Sequence, residues 1–109
     1  MPTYTGKSLA DGQVAIAQTA IYTVPAATIA FVKQIRFFNT NAVTQLVEIW
    51  IKRSGGTARK QAQFQLDQDE AADYLEEGGT LELSAGDAIL AKTGTAAAVD
   101  YMVLGVEEA

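Results

Sequence analysis

The sequence predicts an all-β fold, a single antiparallel β-sandwich of about eight strands. Three observations carry that prediction. Apolar residues come in short runs, several of them alternating with polar ones, and each run is closed by a Gly, Asn or Ser-Gly signal at the spacing of a sandwich or barrel. The length, 109 residues, suits one domain with one modest core. A composition of 49% hydrophobic and 19% charged residues belongs to globular chains rather than disordered ones.

Residues 1–13 are polar, and Gly6 and Asp11-Gly12 interrupt any periodicity, so they read as an extended N-terminal arm ahead of a sandwich domain over 14–109. On that reading the arm holds little apolar surface, and the domain folds without it. Val14 to Val24 is β-capable and ends at Val24-Pro25, because proline lacks a ladder N–H and drives its predecessor extended. In the next strand Ile29, Phe31, Ile35 and Phe37 share one face, interrupted only by Lys33, and Asn39-Thr40-Asn41 turns by Asx chemistry. The other face, Ala30, Val32, Gln34, Arg36 and Phe38, is mixed.

From Gln45 to Arg53 the two-residue period sends Val47, Ile49 and Ile51 inward and leaves Leu46, Glu48, Trp50 and Lys52 on the opposite side. Ser54-Gly55-Gly56 supplies a hairpin connection. Gln61 to Leu66 alternates without exception, with Ala62, Phe64 and Leu66 inward and Gln61, Gln63 and Gln65 forming an uncharged row of donors and acceptors outward. Asp67 to Glu77 is either a short helix, opened by a capping box between Asp67 and Glu70, or a loop with a brief strand near Asp73 to Glu76. Strands resume at Thr80 to Leu83 and Ala88 to Lys92, around the turn Ser84-Ala85-Gly86-Asp87, and again at Val99 to Glu107. In this last strand Val99, Tyr101 and Val103 occupy one face and Met102, Leu104 and Val106 the other. Both faces are apolar, so the strand lies between two layers or is covered by another subunit.

The net charge is −5, and it is unevenly spread. Four of the eight basic residues, Lys52, Arg53, Arg59 and Lys60, bracket the hairpin, while six of the thirteen acids fall between Asp67 and Glu77. Without a net basic footprint or interleaved aromatics, nucleic acid is not an expected partner. No basic or aromatic amphipathic stretch suits a membrane, no run of apolar residues is long enough to span one, and the first residues lack the apolar core of a signal peptide; a soluble product is expected.

Catalytic equipment is sparse. The chain has no His and no Cys, which removes disulfides, thiolate metal sites and the usual nucleophile and base pairs. Thr5-Gly6-Lys7-Ser8 ends like a phosphate-binding loop, but the glycine that motif needs would fall at Met1. Asp67-Gln68-Asp69 begins like a calcium loop, yet Ala71 and Ala72 take the positions of a ligand and of the turn glycine. The carboxylates Glu48 and Glu82 sit where alternation predicts solvent. No enzyme activity, cofactor or metal is expected. Binding through faces remains. Trp50 is either core or, exposed beside Leu46, an interface anchor. The glutamine row is either the wet side of an edge strand or a contact surface. With Tyr4 and Lys7 of the arm and Met102 and Leu104 of the last strand, these are the interface candidates, and together they favour an oligomer.

Ala20-Ile21-Tyr22-Thr23-Val24-Pro25-Ala26 leading into Ile29-Ala30-Phe31-Val32-Lys33, then Leu81-Glu82-Leu83-Ser84-Ala85-Gly86-Asp87-Ala88-Ile89, and the close from Val99-Asp100-Tyr101 to Gly105-Val106-Glu107 resemble small β-sandwich virion structural proteins of tailed bacteriophages. The resemblance spans residues 20–107. It implies a jelly-roll-like sandwich, made in the bacterial host cytoplasm and carried on the virion surface. It does not choose between head and tail; the role expected is that of a capsid decoration (cement) protein, a trimer that binds the major capsid protein and stabilises the head. The alternative is a tail or fibre accessory that binds carbohydrate or a receptor, with Trp50 or Tyr22 as a stacking platform.

Overall fold

The computed structural model describes residues 4–75, 79–95 and 97–108, of which 4–8 are described as backbone only. The strands are β1 (Tyr4–Gln13), β2 (Thr19–Thr23), β3 (Ile29–Asn39), β4 (Gln45–Lys52), β5 (Arg59–Leu66), β6 (Ala71–Asp73), β7 (Leu81–Leu83), β8 (Ala88–Lys92) and β9 (Val99–Glu108), and no helix occurs among the described residues. They form two antiparallel sheets packed face to face. The first has the order β1-β9-β3-β6, with β7 also on β3, and the second the order β2-β8-β4-β5. β6 pairs with Arg36 to Phe38 and β7 with Ala30 to Val32, so the two are halves of one interrupted strand. Counted that way there are eight strands, and strands late in the chain insert between early ones in both sheets. This is a jelly-roll connectivity.

The alternation read from the sequence holds along β4, where Val47 and Ile49 are fully buried and Ile51 nearly so. In β5, Leu66 is buried and Ala62 and Phe64 are half-buried; the Phe64 ring lies 6.2 Å from that of Phe37 across the core. In β7, Leu83 is buried and Leu81 half-buried.

β3 departs from the expected pattern. Val32 opposes Gly105 and Gln34 opposes Leu104, so Lys33 is an extra, bulged residue and the strand changes parity there. Ala30 and Val32 face the core before the bulge and Ile35, Phe37 and Asn39 after it, whereas Ile29 is exposed and Phe31 only half-buried. Ile29 and Phe31 therefore do not share a face with Ile35 and Phe37. Leu9 is bulged in the same way on the opposite side of β9, between pairs to Leu104 and Val103. A Cβ on Gly105 would overlap the Phe31 carbonyl oxygen, so glycine is what allows β3 to approach β9 at its bulge. Bulges at Ile21 and Gln61 complete the set.

Residues 4–13, expected as an arm, are hydrogen-bonded to β9 through nine register pairs as the edge strand of the first sheet. Leu9 and Ala10 pack against the core. A polar strand suits this place because an edge needs ladder bonds more than apolar side chains.

The loops are pinned by buried polar groups. Asn39 is fully buried; its Nδ2 donates to the carbonyls of Val43 and Leu66 at 3.1 and 2.8 Å, and its Oδ1 accepts from the Asn41 N–H at 2.9 Å. The expected Asx turn is thus also a tie between β3 and the end of β5. The Asp67–Glu70 pair is present, with the Asp67 N–H donating to Glu70 Oε1 at 3.1 Å, but it closes a turn that leads into β6 instead of opening a helix. Glu76 and Glu77 lie outside the described residues. Tyr22 of the second sheet donates its hydroxyl to Glu107 of the first at 2.6 Å; burial, this bond and the carboxylate's charge raise its pKa.

Asp87 fastens two turns together. Its carboxylate, 4% exposed, accepts from the Ser84 and Ser54 N–H groups and from Arg53 Nη1 at 2.9, 2.8 and 2.9 Å. Gly86 occupies a left-handed conformation, φ +86°, and a Cβ there would strike Ser54. Burial alone would raise the Asp87 pKa, but the two backbone donors and the guanidinium outweigh it and hold the carboxyl below its ordinary value.

Three outcomes follow from this architecture. Ile49→Ala is expected to cost about 2–5 kcal/mol in denaturant unfolding, as truncation of a fully buried side chain. Deleting residues 2–12 is expected to lower stability by several kcal/mol, at about 1 kcal/mol for each ladder bond lost, in place of the neutral effect of removing a free arm; the same unfolding experiment reads it. Because the folded pKa of Asp87 is depressed, its contribution is complete above the ordinary value of 3.8 and is lost as pH falls through the folded value. Asp87→Asn is accordingly expected to lower the melting temperature at neutral pH and to flatten the stability curve below that value, with acid melting series as the measurement.

Candidate functional site

Three surfaces stand out, and each is set by strand parity. On the outer face of the first sheet, β9 presents Met102, Leu104 and Val106, and β3 presents Phe31 and Phe38; all five are half-buried. Arg36 opposes Met102 from β3 and pairs with Asp73 at 3.1 Å, while Asp11 opposes Met102 from β1. Between these charges lies a shallow, almost wholly apolar depression of about 250 Å³ around Phe38 and Met102. Tyr101 reaches its edge, and burial, reinforced by the Asp11 charge, raises that hydroxyl's pKa. Met102 and Leu104 thus share the outer face of the sheet, half-buried, with β9 between β1 and β3.

The outer face of the second sheet carries Leu46, Glu48 and Trp50. Trp50 is half-buried on this outer side, opposite Leu90 of β8, with Lys60 Nζ 6.0 Å from its ring. Lys60 also reaches Glu48 at 3.0 Å and Gln63 at 2.6 Å. Leu46 is 39% exposed and opposes Gln65. The glutamine row is broken. The bulge puts Lys60, not Gln61, opposite Trp50 and beside Gln63 and Gln65. Tyr22 is buried and not a stacking platform. Tyr4 and Lys7 pair with Glu108 and Gly105 through their backbones, and their side chains lie outside the described residues.

The third surface was not anticipated as a unit. The same bulge turns Arg59 toward Ile51, and with Arg53, Gln61, Thr57, Tyr74 and Leu81 it lines a cleft of about 290 Å³ at the hairpin end of the sandwich. Burial raises the Tyr74 pKa above its ordinary value. The basic residues bracketing Ser54 to Ala58 were the available signal, but their division between an outer face (Lys60) and a cleft (Arg53, Arg59) depends on the bulge. Among the described residues no group of acidic side chains is placed to hold a metal ion.

The sequence matches no protein-family model and no curated protein. Among solved structures the chain is similar to the one described as the structure of infectious bursal disease virus Gt strain, at 10% identity and a TM-score of 0.35 over 98% of this chain and 31% of that one. The corresponding Gx strain structure gives 9% identity and a TM-score of 0.32 over 99% and 32%. The chain spans about a third of the length of either.

Proposed function

We propose that this protein is a non-enzymatic bacteriophage virion component, a capsid decoration (cement) protein that binds the assembled head and stabilises it. The observation that supports this most is the outer face of the first sheet, where five large apolar side chains stand on adjacent strands β3 and β9. A lone sandwich gains nothing by leaving such a stripe wet, and a second copy of the chain covers it. Arg36 on one side of Met102 and Asp11 on the other offer opposite charges to a neighbouring copy. Trimers formed here leave the outer face of the second sheet, with Leu46, Trp50, Gln63 and Gln65, for the major capsid protein. Ligands that bind only the assembled shell stabilise it by mass action. Three weak contacts within one trimer add as avidity. The sequence resemblance over residues 20–107 supports the same reading; the jelly roll alone does not, because that fold serves many functions.

Light scattering of the purified chain is expected to give three times the 11.6 kDa monomer mass. Met102→Asp and Leu104→Asp are expected to yield folded monomers, because both side chains point away from the core. Particles lacking the protein are expected to assemble and to release DNA at lower temperature, and Trp50→Ala trimers to bind them at least tenfold more weakly, in keeping with the loss of an aromatic anchor. Particles of unchanged heat stability that fail to adsorb to cells would transfer the protein to the tail or fibre.

A further inference from the structure

The cleft at the hairpin end belongs to neither outer face, and its composition points to a ligand. Its floor is apolar, made by Ile51 and Leu81. Its walls are rich in donors. Arg53 is held in place by Asp87 Oδ2 at 2.9 Å and the Glu82 carbonyl at 3.2 Å, both through Nη1, and its other side-chain nitrogens have no hydrogen-bond partner among the described residues. Arg59 is exposed, and its side chain has no ion-pair partner among the described residues. Gln61, whose Nε2 donates to the Arg59 carbonyl at 3.2 Å, Thr57 and Tyr74 complete the lining. No carboxylate lines the cleft among the described residues, and the nearby Asp87 is buried and fully engaged.

We propose that this cleft binds a carboxylate-bearing sugar, a single uronic-acid unit of a larger saccharide, with the Arg59 and Arg53 guanidiniums on the carboxylate and the ring's C–H face on Ile51 and Leu81. Guanidinium donors match a carboxylate in charge and in planar geometry. The Gln61 amide oxygen and the polar groups of Thr57 and Tyr74 in the lining suit several ring hydroxyls at once, which a simple acidic side chain does not present. A volume of about 290 Å³ lies just below the ~300–1,000 Å³ typical of small-molecule sites and so suits a single ring. Arg53 is positioned by Asp87 and is the rigid half of the clamp, whereas Arg59 is the half that closes on the ligand. The cleft is lined by neither Met102 nor Trp50, so binding there does not depend on whether the protein sits on head or tail.

Titration of the full chain with D-glucuronate and with a digalacturonate, followed by amide and side-chain NMR shifts, tests this. Saturable shifts are expected at Thr57, Gln61 and Tyr74 with a Kd of about millimolar strength, and Arg59→Gln, an exposed substitution that leaves the core untouched, is expected to weaken binding at least tenfold, as for loss of a charge-assisted bond. Methyl glucoside, which lacks the carboxylate, is expected to produce no saturable shift. Absence of shifts with either uronate, equal binding of methyl glucoside, or tighter binding of inorganic phosphate or a glutamate-rich peptide at the same residues would each overturn the proposal. Heat stability of particles is read separately, so this result and the decoration reading fail independently.

Discussion

The architecture rests on one strand kept regular by its neighbours' irregularity. β9 is paired along both edges, to β1 and β3, and each partner carries its extra residue against the same short stretch of β9, from Val103 to Gly105. Because a bulge shifts side-chain parity by one, the apolar residues of β3 reach the core on even numbers before Lys33 and on odd numbers after it. Gly105 makes this possible by presenting no side chain to the Phe31 carbonyl. The consequence extends to the surface. The same parity change leaves Phe31 and Phe38 on the outer face although they are seven residues apart, and so assembles an apolar stripe that an unbroken strand would have split between two faces.

Much of the fold was legible where alternation was unbroken. Val47, Ile49 and Ile51 are inward as their period predicted, and the Asn39-Thr40-Asn41 turn uses the side-chain acceptors that its composition advertised. The bulges were not legible. Lys33, Gln61, Leu9 and Ile21 share no residue type, because a bulge is decided by how two strands fit each other and not by local propensity. The polar N-terminal residues misled for a related reason. An edge strand needs backbone partners, and these lie at the far end of the chain. In the acidic stretch, the Asp67 and Glu70 signal was local and correct as a turn, but the segment after it joins β3 instead of coiling, since pairing with Arg36 to Phe38 offers ladder bonds that a short isolated helix cannot match.

The candidate surfaces divide by chemistry along the same geometric lines. One outer face is an apolar stripe between fixed charges, the other a mixed surface where Trp50, Lys60, Glu48 and Gln63 hold one another, and the hairpin end is a donor-rich recess. The sequence showed Met102, Leu104 and Trp50 as unusual residues for a solvent face. It did not show that Arg53 and Arg59 line one cleft, because Arg59 is turned by the bulge at Gln61 and Arg53 is anchored by an aspartate thirty-four residues away.

The late position of β9 has a kinetic consequence. The strand that lies between β1 and β3 in the first sheet follows all the others in the chain, and β8, which lies between β2 and β4, is not far ahead of it. Among the described strands only β4 and β5 pair as sequence neighbours. Contact order is therefore high, and folding of such topologies is slow because loop-closure entropy is lost before long-range pairing compensates. On the ribosome β1 emerges with its ladder groups open and finds no partner until β9 has been made, and β3 meets β6 and β7 along one edge before β9 closes the other. Expression conditions that slow aggregation, such as low temperature or chaperone supply, act on that interval, when the apolar residues of β3 face water on both sides.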